Sequence, residues 1–298
     1  MKTLWLLSHL RDSPGNRIVL DAAKKRAYRT LLVDPARLNL MIRTKEGGLS
    51  LVPDPSLGDG PPDAVLTRLG SSAPIAAMDT LRQLQLMDIP CVNRPTSVRR
   101  CRDKVTCFQL LANHNIPMPT TALLGPDFPS DRIAELIPGP PWIVKFPLST
   151  QGTGVILAES LRSLRSIRDA VAGYEHRLLL QQFVTEAAGT DVRVFVIDGK
   201  AVAAMRRQAS RDEFRSNIHR GGQGTVVELT DELRTVAERS VEILDLQIAG
   251  VDLLLGPDGP LLIEVNSSPG LENIQTVTQT PIADRILDLI EAKAGWSR

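Results

Sequence analysis

Apolar residues in this chain fall into short runs of two kinds. Continuous or alternating runs mark strands, and runs spaced by three and four mark helices. TLWLLS at Thr3–Ser8 predicts a buried strand, and a loop with Pro14 and Gly15 follows over Arg11–Asn16. A helix is expected over Ile18–Tyr28, then strands at Leu31–Val33 and, beyond the Pro- and Gly-rich stretch 53–62, at Ala64–Arg68. Strand, helix and strand at this spacing predict a small open α/β layer with a parallel sheet. Its first loop lacks G-x-G-x-x-G, so a dinucleotide fold is not supported. Leu69-Gly70-Ser71-Ser72 follows the third strand, where α/β sheets place ligands. Those residues equally suit the start of the next helix.

Further on, Met78–Met87 predicts a helix and Ile89–Val92 a strand. Residues 93–118 read as one helical stretch capped by Thr96 or Ser97, with Asp103-Lys104 inside it and Pro117 and Pro119 ending it. Its basic run, Arg99, Arg100, Arg102 and Lys104, is ordinarily a solvated face. Trp142–Phe146 (WIVKF) is a strand with a lysine in its middle. A glycine-rich loop, Ser149–Gly154 (STQGTG), and a second strand, Val155–Ala158, follow. Strand, loop, strand excludes the Walker-type P-loop, which runs into a helix. A glycine-rich hairpin instead lets backbone N–H groups, Gly152 and Gly154 among them, close over phosphates. Lys145 among Trp, Ile, Val and Phe needs an anionic partner such as a triphosphate, unless it snorkels from an edge strand. Leu178–Val184 (LLLQQFV) can offer backbone groups to an adenine edge, with Glu186 and Asp191 within range of ribose hydroxyls. Asp191–Ile197 and Lys200–Arg206 read as a hairpin turned by Asp198-Gly199. The arginine-rich stretch 206–224 is expected to be a loop outside the core that clamps phosphate or carboxylate groups.

Gly250–Glu272 (GVDLLLGPDGPLLIEVNSSPGLE) predicts two strands joined by a three-residue turn, Pro257-Asp258-Gly259. Pairing Gly256 with Pro260 sets Asp252 opposite Glu264, with Asn266 one step along. Leu262 then shares a face with Glu264 and Asn266, and Ile263 with Val265. Facing carboxylates among apolar residues repel, and divalent cations between them would remove that penalty. An ordinary surface hairpin with solvated acids is the alternative. Leu233–Leu246 and Ile282–Ala294 read as the helices on either side.

Composition changes this picture little. The 298 residues suffice for two or three domains, and 43% hydrophobic with 23% charged residues is an ordinary globular balance. A formal net charge of +1 argues against bulk binding to nucleic acid or membrane. Cys91, Cys101 and Cys107 show no metal-ligand spacing, and without a signal peptide they suit a reducing cytoplasm.

With ARLNLMI, RLGSS, SVRRCRDKVTCFQLLANHNIPMP, STQGTGV, FRSNIHRGG, AGVDLL and IEVNSSPGLE in view, the chain resembles the ATP-grasp superfamily. More closely, it resembles the RimK-type α-L-glutamate ligases, which add glutamate to the carboxyl terminus of a ribosomal protein. The resemblance implies an α/β ATP-grasp fold of three domains: 1–97 before the grasp, 98–178 central, and 179–298 C-terminal with the metal site. It implies ATP bound between two sheets and an acyl-phosphate mechanism. An acceptor carboxylate attacks the γ-phosphate, and an amine, L-glutamate, then displaces phosphate. By position, Lys104 and Lys145 would hold ATP phosphates, Gln182 and Phe183 would contact adenine, and Asp191 would lie in the nucleotide site. Arg215, Ser216 and Asn217 would reach phosphates or the acyl group, Arg215 and Asn217 as catalytic residues. Asp252, Glu264 and Asn266 would bind two Mg²⁺, with Mn²⁺ as a substitute. Homo-oligomers are compatible with this family. The hinge reads QQF where these ligases usually carry Glu and Tyr in the last two positions, so Gln182 keeps a hydrogen bond and loses a charge. Four alternatives stay open: a small-molecule or carrier-protein acceptor, a different amino acid, a regulatory nucleotide-binding module without catalysis, and a kinase releasing a phosphorylated product, which would need no amine.

Overall fold

The first strand, β1 (Thr3–Leu7), is buried over Leu4, Trp5, Leu6 and Leu7, as a strand covered on both faces must be. The computed structural model describes residues 1–44, 48–52, 54–58, 60–125, 128–146, 154–171, 177–210 and 222–296. After β1 come α1 (Pro14–Ala23), β2 (Arg29–Val33), a small hairpin of β3 (Leu40–Ile42) and β4 (Leu49–Leu51), β5 (Ala64–Thr67), α2 (Ile75–Leu86) and β6 (Cys91–Val92). The order β2-β1-β5-β6, parallel throughout, is the α/β layer expected from the sequence. The β3–β4 hairpin was not anticipated. Helix α1 starts and ends several residues earlier than its apolar pattern suggests. Pro14 takes its first turn, where a missing N–H does no harm. At the far end Arg26 leaves the helix to pair with Asp284, Asp288 and Glu291.

The expected single helix over 93–118 is two helices, α3 (Pro95–Arg102) and α4 (Lys104–Asn113). Asp103 breaks them. Its backbone is extended, and its carboxylate accepts from the N–H groups of Val105 and Thr106, capping α4. Neither Thr96 nor Ser97 caps α3, because Pro95 already occupies the first turn and Arg94 the cap position.

The central sheet is antiparallel, in the order β7-β10-β8-β9. It contains β7 (Thr121–Leu124), β8 (Trp142–Lys145), β9 (Val155–Ala158) and β10 (Leu178–Gln182), with α5 (Ser130–Leu136) and α6 (Leu161–Ala170) packed on it. Trp142, Val144, Leu164 and Leu180 belong to its core. Strand β10 pairs on both sides within this sheet, so the central unit runs past residue 178 to Gln182.

The third sheet is antiparallel in the order β13-β12-β11-β14-β15. Its strands are β11 (Thr190–Ile197), β12 (Lys200–Gln208), β13 (Gln223–Val226), β14 (Ile248–Gly256) and β15 (Gly259–Asn266), accompanied by α7 (Asp231–Ile243), α8 (Glu272–Thr278) and α9 (Ile282–Lys293). Phe108 and Leu111 of α4 and Val236 and Val241 of α7 pack with Val192, Val194 and Val251 of the sheet. Elsewhere Ile282, Ile286 and Ile290 of α9 share one core with Phe195 and Ile248 of this sheet and with Leu4, Leu6 and Leu66 of the first. Strand β12 continues through Arg206, Arg207 and Gln208, so the cationic stretch begins inside the sheet. Arg207 is buried, which corrects the expectation that this segment lies wholly outside the core.

Candidate active site

A cleft of about 1010 Å³ runs between the central and third sheets and reaches the ends of β1 and β5 in the first. Lys104, Lys145, Gln182, Phe183, Asp191, Asp252, Glu264 and Asn266, all expected in the site, line this one cavity. Gly152, Arg215, Ser216 and Asn217 lie outside the described residues, and Glu186 is exposed and does not line the cleft.

The hairpin of β14 and β15 brings its acids together by a route different from the expected one. Gly256 pairs with Gly259 around Pro257-Asp258, so the turn has two residues. That register alone would set Asp252 opposite Ile263. A bulge between Asp252 and Leu253 leaves Ile263 over and restores Asp252 opposite Glu264. The bulge also reverses the expected faces: Leu262 is fully buried in the sheet core, and Ile263 lines the cleft with Glu264.

The two carboxylates are neutralised differently. Glu264 has a side chain 42% exposed and a long ion pair, Oε1 to Lys104 Nζ at 3.8 Å. Asp252 is buried and bound by two guanidiniums that sequence reasoning missed. Arg193 donates Nε to Oδ1 and Nη2 to Oδ2, each at 2.7 Å, and Arg207 Nη2 reaches Oδ2 at 2.9 Å. Burial alone would raise the Asp252 carboxyl, but Arg193 and then Arg207 outweigh it and hold it below its usual value. Arg207 also clamps Asp191 through Nε at 2.6 Å and through Nη2. Asp191 therefore enters the cleft as half of a buried ion pair. The readable signal was Arg193 inside the alternating run DVRVFVI. Arg207 was harder to see, because an irregularity between Phe195 and Val196 shifts the β11–β12 register and makes it, rather than Arg206, the neighbour of Asp191.

Across the cleft, Lys145 stands on β8 beside the short connection to β9. Phe146 N–H donates to Gly154 O at 3.1 Å, and Gly154 has φ +73°, a conformation that favours glycine. The context is strand, loop, strand, as expected. Strand β8 lies between β10 and β9, so Lys145 is not an edge-strand lysine, and it is half-buried. Its Nζ donates to Gln181 Oε1 at 2.7 Å, and Gln181 in turn donates to Thr121 Oγ1 at 2.8 Å. Burial, reinforced by Lys104 and partly offset by Glu264, lowers Lys145 to about 8. Gln181 is buried and orients this ammonium, a role that the sequence reading did not give it. Gln182 holds the neighbouring segment: its N–H donates to Thr120 O at 2.9 Å, and its Oε1 accepts from Thr120 N–H at 3.3 Å. Nucleophilic cysteine chemistry finds no support, since Cys91, Cys101 and Cys107 are all buried and burial pushes Cys91 and Cys101 up to about 12.

Solved proteins share this arrangement of sheets. A RimK-domain ATP-grasp protein of Sphaerobacter thermophilus has a TM-score of 0.73 at 23% identity, covering 97% of this chain and 99% of its own. The ATP-grasp ligase PsnB, solved with a minimal precursor, Mg and ADP, also has a TM-score of 0.73, at 17% identity and 98% and 97% coverage. The fold is thus the ATP-grasp fold. In sequence, residues 1–98 match the RimK PreATP-grasp domain and residues 101–290 the RimK-like ATP-grasp domain. The probable alpha-L-glutamate ligase of Aliivibrio salmonicida is 38% identical over 293 residues, 98% of this chain and 96% of that protein. The chain belongs to the RimK-like ATP-grasp family.

Proposed function

We propose that this chain is an ATP-dependent, ADP-forming carboxylate–amine ligase that adds L-glutamate to the terminal carboxylate of a protein or peptide, a ribosomal protein being one such acceptor. The observation that carries this reading is one cleft lined together by Lys104, Lys145 and the Asp252–Glu264–Asn266 group, in a chain of this family. Phosphoryl transfer requires in-line positioning and charge neutralisation more than a dedicated base. Lys145, kept in place by Gln181, and Lys104 supply positive charge for the phosphates. The segment around Gln182 and Phe183 borders the adenine.

The donors fit a hard cation. Glu264 turns a partly exposed carboxylate into the cleft, and Asn266 stands on the same strand end. Asp252 Oδ2 is crowded by Arg193, Arg207 and Asn266, whereas Oδ1 accepts from Arg193 alone and keeps a lone pair. These three residues would hold Mg²⁺, two ions in the full arrangement, with Mn²⁺ able to replace them. When bound, the metal offsets the charge that builds on the transferring phosphoryl group. The acceptor carboxylate attacks the γ-phosphate to give an acyl phosphate and ADP. The amine of glutamate then displaces phosphate, forming the amide. Arg215, Ser216 and Asn217 are assigned to the phosphates and acyl group from the sequence motif. The three free cysteines favour a reducing compartment, which we take to be the cytoplasm.

The test is ADP release by the purified protein with Mg²⁺ and ATP, screened over the amino acids with and without a candidate ribosomal-protein tail, with mass spectrometry of the tail. A glutamate-dependent signal with matching mass additions is the expected result. Release with another amine would keep the chemistry and discard glutamate. Tight ATP binding without release under any combination would discard the ligase in favour of a regulatory nucleotide-binding role.

A further inference from the structure

The cleft does not end at the phosphate and metal residues. It continues to the C-terminal ends of β1 and β5, where Arg68 directly follows β5. Arg68 and Arg207 are the two buried arginines among the described residues. Arg207 is paired with Asp191 and Asp252. Arg68 has no acidic partner among the described residues. Its Nη1 donates to Pro269 O at 2.8 Å and its Nε to Asn16 Oδ1 at 3.4 Å, leaving Nη2 with no hydrogen bond to a described residue. Burial, uncompensated by any carboxylate, lowers the guanidinium to about 10.

The surroundings keep that nitrogen approachable. Gly15, in the first turn of α1, faces Arg68: a Cβ there would stand 3.0 Å from Nη2. Ser13, the cap of this ten-residue helix, makes no side-chain cap bond. Pro14 has no N–H and Asn16 and Arg17 donate to Ser13 O, so Gly15 N–H is the first-turn donor left without an acceptor among the described residues. A buried cation beside an unbonded N–H, open to a substrate cavity, is costly unless an anion completes it. Pro269, which holds Arg68, lies three residues beyond Asn266, at most ~11 Å of extended chain. The Arg68 compartment therefore adjoins the place where the amide forms.

We propose that Arg68, with Asn16 and the first turn of α1 around Gly15, is a carboxylate subsite that holds the incoming amino acid through a carboxylate that does not react. The assignment rests on the ligase reading above. The acceptor carboxylate must attack phosphorus, and an ion pair with a buried guanidinium would blunt it as a nucleophile. The carboxylates of glutamate pass through the reaction unchanged, so they are the anions that gain from being held.

The experiment measures binding of L-glutamate, and separately of glutarate and a peptide ending in glutamate, to the full chain loaded with a non-hydrolysable ATP analogue and Mg²⁺. Calorimetry compares wild type with Arg68→Gln, Arg68→Lys and Gly15→Ala. Arg68→Gln should weaken glutamate and glutarate by about tenfold or more, the loss expected for a charge-assisted contact, and leave nucleotide affinity within about twofold. Arg68→Lys should recover part of the loss. Gly15→Ala, which keeps the charge and crowds Nη2, should weaken glutamate as well. Unchanged glutamate affinity in Arg68→Gln overturns the subsite. Equal loss of nucleotide and glutamate overturns it too, because it would show Arg68 acting only as a brace for the Pro269 loop. Loss confined to the peptide would move the subsite to the acceptor and overturn the assignment to the nucleophile. Failure of the ligase reading is visible separately, as absent glutamate-dependent ADP release by the wild type.

Discussion

Replacing Arg207 by methionine keeps the length of the side chain and removes its charge from the most buried ion cluster of the site. Arg207 is 6% exposed, and the carboxylates of Asp191 and Asp252 are each 3% exposed. It donates three charge-assisted hydrogen bonds, two to Asp191 and one to Asp252. Asp252 keeps Arg193, so most of the loss falls on Asp191. Breaking a buried pair from one side costs about 3–5 kcal/mol, a large part of the 5–15 kcal/mol typical of folded domains. Urea unfolding of the nucleotide-free protein, followed by circular dichroism, should show a loss of that size at neutral pH. The pH dependence is a second check. The folded value of Asp252 lies below its unfolded one, so its contribution is complete above about pH 4 and is lost as pH falls through the folded value. Removing one of its two cations should therefore separate wild type and variant most at neutral pH, with the gap narrowing below about pH 4. A gap under about 1 kcal/mol at neutral pH, or one that widens on acidification, would refute the cluster as a source of stability.

Glu264→Gln should abolish ADP release with a stability change under about 1 kcal/mol, because the side chain is 42% exposed with a single long ion pair to Lys104. Near-normal ADP production would remove Glu264 from the metal site. For Lys145→Met, nucleotide affinity should fall at least about tenfold while the nucleotide-free protein becomes no less stable. The folded value of Lys145, about 8, lies below its reference of 10.5, so charging it opposes folding below about pH 8. The stability difference from the variant should then shrink as pH rises toward 10.5, which differential scanning fluorimetry across pH would check. Asn93→Ala removes a fully buried amide that donates to Ile248 O and Ser267 O and accepts from the N–H groups of Gln247 and Ile248. It should destabilise by about 3 kcal/mol or more, and a loss below about 1 kcal/mol would mean that the contact is replaced by water.

The α/β layer, the antiparallel sheets and the metal hairpin were legible because burial forces period-two and continuous apolar patterns on strands. Lys145, Asp252 and Glu264 stood out for the converse reason: each is a charge in an apolar run. Partnership was not legible. Asp252 looked in need of a cation, yet Arg193 and Arg207 already stand against it, brought there by pairings between strands some 60 residues apart and by one register irregularity. The facing of Asp252 and Glu264 was anticipated through a three-residue turn, whereas a two-residue turn and a bulge produce it together. Asp103 looked like an interior helical residue because apolar spacing continues past it, and only the local competition of its carboxylate for backbone N–H groups breaks the helix. Arg68 was visible as the last residue of a strand motif. Its lack of an acid partner is a property of three-dimensional neighbours, which spacing does not carry.

The core shared by the first sheet and α9 has a consequence for synthesis on the ribosome. Leu4, Leu6 and Val19 rest against Ile282 and Ile286, and Arg26 finds its three acids only on α9. The layer of residues 3–92 emerges ahead of the sheets that follow it, and keeps an apolar face uncovered until residues 282–293 have been translated. At about 5–20 residues per second, the roughly 190 residues between Val92 and Ile282 leave that face bare for about 10–40 seconds. Contacts of such sequence separation also slow folding, because a long loop must close before they form. A nascent chain halted before α9 should therefore bind chaperones through this face and lose them when translation resumes.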